Sequence, residues 1–289
     1  MLQTKKQARR RRRLRAAGVL TLLTAVVGGG AYLAVSQLNS SEVLVRERCS
    51  AVVGTDTYEL APEQAANAST IAGVAVTRGL PPRAVSIALA TAVQESGLRN
   101  LDYGDQAGPD SRGLFQQRPS QGWGTEEQVQ DPIYAAGAFY DELVTVPGYQ
   151  SLPITEAAQL VQRSAYPDAY ADHEPEARAF ASALTGQSPA SLNCVLRKPV
   201  ASGSAAAVTE RFAAVFPARP TAATEEGLVT SASGSEGWAA AQFAVANAKE
   251  LGITSVSHAG LQWNRADGGW TTAETETGQV LITLAEVAA

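Results

Sequence analysis

From residue 60 onward the chain alternates apolar stripes at helical spacing with short polar breaks. Apolar residues recur at three- and four-residue intervals through "PEQAANASTIAGVAVTRG", and the run stops at Gly79. Pro81-Pro82-Arg83 opens a second helix, since proline suits a first helical turn, and Val85, Ala88, Leu89 and Ala92 share one of its faces before Gly97. Further helices are expected over 131–146, with Asp131 as cap and Pro132 at the first position, over 153–165 and over 174–186. Between them, 99–124 is rich in Gly, Pro and Asp and reads as a long ordered loop with room for a short hairpin. After a polar linker at 195–205, helices near 206–216 and 236–250 alternate with strands near 227–232, 253–259 and 279–287.

The expected fold is a mainly α domain at 49–194 followed by a small α+β domain at 206–289. Trp238, Trp263 and Trp270 are expected in the core of the second. His258 and His173 read as structural and surface residues.

The N-terminus has another pattern. Residues 1–15 hold eight Lys/Arg and no acid, and Ala16 to Leu38 runs for 23 residues without a charge. About 20 apolar residues span a bilayer, and the basic flank stays cytoplasmic. The reading is a basic cytoplasmic tail, a single-pass signal-anchor helix at 16–38, a stalk at 39–48, and extracellular domains held at the cell membrane. A cleaved signal peptide is the competing reading, because Ala34-Val35-Ser36 supplies small residues at suitable spacing.

Charge and cysteine content fit export. Beyond residue 15 stand 15 Lys/Arg against 28 Asp/Glu, a net of −13, so nucleic acid is not an expected partner. Cys49 and Cys194, 145 positions apart, are expected to pair in an oxidising compartment, with two buried thiols as the alternative. His and Cys lack metal-ligand spacing, so neither a metal nor a cofactor is expected.

One residue breaks the hydrophobic logic. In "IALATAVQESGLRN" Glu95 continues the stripe of Ala88 and Ala92 at the last turn of its helix. Burial and the negative end of the helix dipole both raise a carboxyl pKa, and an acid protonated near neutrality suits general-acid catalysis. A helix-end glutamate that reaches solvent is the alternative.

The surroundings of Glu95 carry a resemblance. Gln94-Glu95-Ser96-Gly97-Leu98 and Ser111-Arg112-Gly113-Leu114-Phe115-Gln116-Gln117 resemble the first two motifs of the lytic transglycosylase branch of the lysozyme-like superfamily, over about residues 60–186. The resemblance implies Glu95 as catalytic acid/base and Ser96 as its supporting hydroxyl. It also implies Gly113, Leu114, Phe115 and Gln116 as the floor of a sugar-binding cleft. Gln117 is a further candidate there, and Trp123 offers a stacking face. The third motif departs: Ser164-Ala165-Tyr166-Pro167 replaces the usual Ala-Tyr-Asn, leaving Tyr166 and Tyr170 as alternatives for the residue touching Glu95.

The implied reaction is cleavage of the MurNAc-GlcNAc β-1,4 bond of peptidoglycan glycan strands by one glutamate, giving a 1,6-anhydro sugar, with hydrolysis as the variant. Asp102, Asp105 and Asp110 are weighed as a second carboxylate and read as turn residues. A non-catalytic wall-binding or scaffold protein with a retained groove is the alternative.

Overall fold

The computed structural model describes residues 45–106, 108–163 and 169–286. The basic tail, the segment at 16–38 and residues 39–44 of the expected stalk lie outside them, as does Tyr166. No helix among the described residues is long and apolar enough to cross a membrane.

The chain opens with a hairpin of β1 (Arg48–Val53) and β2 (Asp56–Leu60), turned at Gly54 and Thr55. Helices α1 (Pro62–Thr77) and α2 (Pro82–Ser96) follow. The loop after α2 leads to a short α3 (Glu126–Gln130), which Thr125 and Gln128 start with a reciprocal capping box. Then come α4 (Pro132–Thr145), α5 (Ile154–Gln162) and α6 (Glu174–Leu184). Asp131 caps α4 by accepting from the backbone N–H groups of Ile133 and Tyr134, as its sequence signature predicts. β3 (Leu192–Val195) returns to the hairpin.

The C-terminal part contains α7 (Ala205–Val215), β4 (Thr221–Ala223), β5 (Leu228–Ser231), α8 (Gly234–Ala246), α9 (Ala248–Leu251) and four more strands. These are β6 (Ile253–His258), β7 (Leu261–Asn264), β8 (Gly269–Thr272) and β9 (Gln279–Leu284).

The expectation of a mainly α fold with a small separate C-terminal domain is corrected here. The structure is mixed α and β, with two antiparallel sheets: β2-β1-β3, and a six-stranded sheet ordered β4-β5-β9-β6-β7-β8. Strands of three to six residues with polar outward faces leave little periodic signal, whereas helices of up to 16 residues leave a clear one. The first sheet shows this best. β1 begins where a stalk was expected, and β3 lies at the edge of the expected linker.

The described residues from Arg46 onward form one compact unit. Its centre is α8, whose residues 237–246 are buried on every side, as expected of a helix enclosed by other elements. Alanines at 239, 240, 241 and 244 let α1 and α6 on one side and β6 on the other approach closely. Two buried amides join the halves. Gln242 donates to the carbonyl oxygens of Ala183 and Ser188 and accepts from the N–H groups of Ser191 and Leu192. Asn247 donates to Ser69 Oγ at 2.9 Å. Trp238 meets both Trp270 and His258 edge-on, Trp263 is fully buried, and Trp270 Nε1 donates to the Leu192 carbonyl.

Cys49 and Cys194 form a disulfide, and they stand directly opposite each other in the β1/β3 ladder. The bond clamps neighbouring strands at the seam between the two halves.

Candidate active site

Glu95 owes its place to the end of α2. Gly97 adopts a left-handed conformation (φ 61°) that a side chain disfavours, and the N–H groups of Gly97 and Leu98 close the last turn on Val93 and Ala92. Gln64 and Asn67 of α1 donate to the Gly97 and Leu98 carbonyl oxygens at 2.8 and 2.9 Å and hold the end of α2 against α1. Glu95 is half-buried there.

Tyr170 covers it. This tyrosine is fully buried, and its hydroxyl donates to Glu95 Oε1 at 2.8 Å. The Gln162 amide, at the end of α5, donates to the Phe115 carbonyl oxygen at 2.9 Å and also to the Glu95 carboxylate. Burial pushes the Glu95 pKa above the ordinary carboxyl range, the bonds from Tyr170 and Gln162 pull it partly back, and the negative charge of Asp105 adds to the rise. The group is therefore biased toward holding its proton while keeping fixed donors to receive its anion.

The second motif forms a tight bridge beside this carboxyl. The backbones of Arg112 and Gln117 exchange two hydrogen bonds of 3.0 Å, and Gly113 N–H donates to Leu101 at 2.8 Å. Gly113 has φ 77°, and a Cβ there would lie 2.1 Å from the Val129 carbonyl oxygen, so glycine is required on both grounds. The Ser96 hydroxyl is directed at backbone and not at the Glu95 carboxylate: it stands 3.0 Å from the Ala92 carbonyl oxygen and 2.8 Å from that of Leu114, and so ties the bridge to the helix end.

The expected cleft residues divide by burial. Leu114 and Phe115 are fully buried, and Phe115 stacks on Phe139 with ring centroids 4.7 Å apart. Gln117 is also buried and donates to the Ala135 carbonyl oxygen. These three side chains face into the interior, Leu114 and Phe115 as part of the core and Gln117 toward α4. Gln116 is half-buried in a left-handed conformation (φ 48°), with its amide 3.3 Å from the Gly113 oxygen.

Trp123 is half-buried and packs partly on the core, and it also lines a cavity of about 320 Å³ with Glu142, Gln162 and Arg163. Glu95 does not line this cavity but meets it through Gln162.

The aspartates of the loop differ. Asp110 is paired with Arg118 at 2.8 Å and accepts from Ser120 N–H at 3.0 Å, and hydrogen bonding from Ser120 holds its pKa well below the carboxylate range. Asp105 accepts from Gly108 N–H at 2.8 Å, a turn contact, yet its charge is felt at Glu95. His173 pairs with Gln94, next to Glu95 in sequence, at 2.9 Å.

Sequence reasoning missed Gln162. It ends a helix 67 positions after Glu95, and no local pattern marks its contact. No group of three or more His, Cys, Asp or Glu able to hold a metal occurs among the described residues. No protein-family model matches the chain, and no curated protein matches it either.

Proposed function

We propose that this protein cleaves peptidoglycan glycan strands at the MurNAc-GlcNAc β-1,4 bond, with Glu95 as the single acid/base and the described unit working in an exported, oxidising compartment. The observation that carries the reading is the half-buried Glu95 carboxyl with its pKa raised by burial and its Oε1 held by the Tyr170 hydroxyl. The Cys49–Cys194 bond supports the compartment.

The chemistry needs two proton transfers by one group. Protonated Glu95 gives its proton to the glycosidic oxygen as the bond from C1 of the muramic acid breaks. The acetamido group of that sugar stabilises the positive charge at C1. The resulting Glu95 anion, held by Tyr170 and Gln162, takes the proton of the C6 hydroxyl while O6 closes on C1. The product is a 1,6-anhydro end, and the carboxyl finishes protonated as it began. A raised pKa favours the first transfer, and the two donors keep the anion at a fixed position for the second.

Mass analysis of muropeptides released from purified sacculi tests this directly. The wild-type chain is expected to release fragments lighter by one water than those with reducing ends, and Glu95→Gln to release none. If wild type releases nothing while both forms sediment with insoluble murein, catalysis is overturned and wall binding is what remains.

A further inference from the structure

Leu228, Val280 and Ile282 lie on the buried face of the six-stranded sheet, which packs on α8 through β6 and β9. Side chains alternate along a strand, so the half-buried Val229 and Leu281 turn to the opposite face. The register sets Val229 opposite Leu281, Leu281 opposite Ser257, and Ser257 opposite Gln262, one row across β5, β9, β6 and β7. This row lines a cavity of about 860 Å³.

The walls of that cavity are acidic. Glu225 and Glu226 stand in the turn between β4 and β5, and Glu274 and Glu276 in the loop between β8 and β9. The two segments lie at opposite ends of the β5/β9 pair. The first precedes Leu228, which pairs with Ile282, and the second leads into Gln279, which pairs with Ser231. All four glutamates are exposed, and none joins an ion pair among the described residues. No lysine or arginine among the described residues lines the cavity.

Charged turns are commonly solvated tips, but these two converge on one floor with hydrogen-bonding capacity to spare. Ser257 is only 6% exposed, and its hydroxyl accepts from Gln262 Nε2 at 3.0 Å while its own proton meets no acceptor among the described residues. The oxygen of the Gln262 carboxamide is left to accept.

Four anions without a counter-cation gather positively charged ligands. Their spacing selects the form of the ligand. No three carboxylates among the described residues converge as one metal ion requires, so the matching charges are spread apart. From Glu226 to Ala232, whose N–H meets the Gly278 carbonyl, the chain covers six positions, about 20 Å of extended strand. An extended peptide of similar length has that reach. Its lysine or arginine heads meet the two walls, its aliphatic stems lie on Val229 and Leu281, and its peptide groups take the Ser257 proton and the Gln262 oxygen.

We propose that this cleft docks an extended, lysine- or arginine-bearing segment of a partner protein. Docking there makes no use of Glu95.

Fluorescence anisotropy on the full-length chain tests it with a labelled, end-blocked heptapeptide of alternating lysine and threonine. The same peptide with glutamine for lysine is the control, and spermidine is the competitor. The lysine peptide is expected to bind at least about tenfold more tightly than its control. Glu225→Gln with Glu226→Gln, and Glu274→Gln with Glu276→Gln, are each expected to weaken it about tenfold, the worth of two exposed ion pairs, and together to abolish it. All four side chains are exposed in turns, so lost folding does not explain such an effect.

Equal binding of the two peptides overturns the proposal, as does indifference to both pairs of substitutions. A loss confined to one pair contradicts a ligand that spans the cleft. Spermidine that binds as tightly as the peptide assigns the cleft to a small polycation instead. If the lysine peptide binds only after the eight Lys/Arg of residues 1–15 are exchanged for glutamine, the occupant is the chain's own tail and the partner assignment falls.

Discussion

The Tyr170 hydroxyl lies 2.8 Å from Glu95 Oε1, although 75 positions separate the two residues. Tyr170 is fully buried, so its ring packs in the core while its single polar atom is spent on the carboxylate. Tyr170→Phe keeps the ring and removes that atom. The hydrogen bond lowers the Glu95 pKa, so its loss raises the pKa further above the carboxyl range. On the proposed function, the high-pH limb of the cleavage rate, where Glu95 would lose its proton, is expected to move to higher pH. The maximal rate is expected to fall about tenfold, the worth of one hydrogen bond to the anion. A pH-rate profile of soluble muropeptide release measures both.

Asp105 acts with the opposite sign. Its negative charge raises the Glu95 pKa, so Asp105→Asn is expected to lower it and to move the same limb to lower pH. Two substitutions that shift one limb in opposite directions identify Glu95 as the titrating group more firmly than either alone. Profiles that move together, or not at all, exclude this electrostatic arrangement.

The pKa of Glu95 also bears on stability. A carboxyl whose folded pKa is raised binds its proton more tightly in the folded chain. Folding stability therefore falls as pH rises from the ordinary carboxyl range toward the raised value, and the loss is complete above it. Glu95→Gln carries no such charge. It is expected to match or exceed wild-type stability at neutral pH, and the advantage should vanish once pH drops below the ordinary carboxyl range. Urea unfolding at several pH values measures it.

Much of this site is legible in the sequence, and the division follows physical range. The end of α2 is readable because Gly97 and the covered stripe of Ala88, Ala92 and Glu95 are local signals. The Asp131-Pro132 start of α4 is readable for the same reason. Which tyrosine meets Glu95 is not, because the contact joins residues 75 positions apart and no local pattern marks it. Leu114, Phe115 and Gln117 stand in the motif, but Phe139 and Ala135 of α4 decide that their side chains face inward. The cysteine pair is readable from compartment chemistry. Its position across the β1/β3 ladder is not, since the period-two alternation of strands of six and four residues is too short to fix a partner strand.

That position makes the disulfide testable in a specific way. Cys49 and Cys194 close a loop of 145 positions at the seam between the two halves. On the chain-entropy account such a cross-link is worth up to about 5 kcal/mol. Reduction, or Cys49→Ala with Cys194→Ala, is expected to lower the unfolding midpoint sharply while the β1/β3 ladder still forms the folded state. Denaturant unfolding with and without reductant measures the loss, and a change under about 1 kcal/mol would mean that the bond constrains the unfolded chain little.

Gln242 offers the strictest test that the two halves unfold as one. Its amide is fully buried, donates to Ala183 and Ser188, and accepts from Ser191 and Leu192, so one side chain satisfies backbone groups on the approach to β3. Gln242→Leu is close in size but takes the acceptor from the Ser191 and Leu192 N–H groups, while the Ala183 and Ser188 carbonyl oxygens keep Gly186 N–H and Ser191 Oγ as donors. Each orphaned N–H costs about 1–3 kcal/mol, so a loss of at least about 2 kcal/mol is expected. Gln242→Glu keeps the acceptor but adds a buried charge and should be no better tolerated. Because α8 packs on α1 and α6 as well as on the large sheet, the loss should appear in one transition reported alike by the tryptophans of the C-terminal half and by helix content. Two separated transitions would show that the halves are independent folding units joined only at their surfaces.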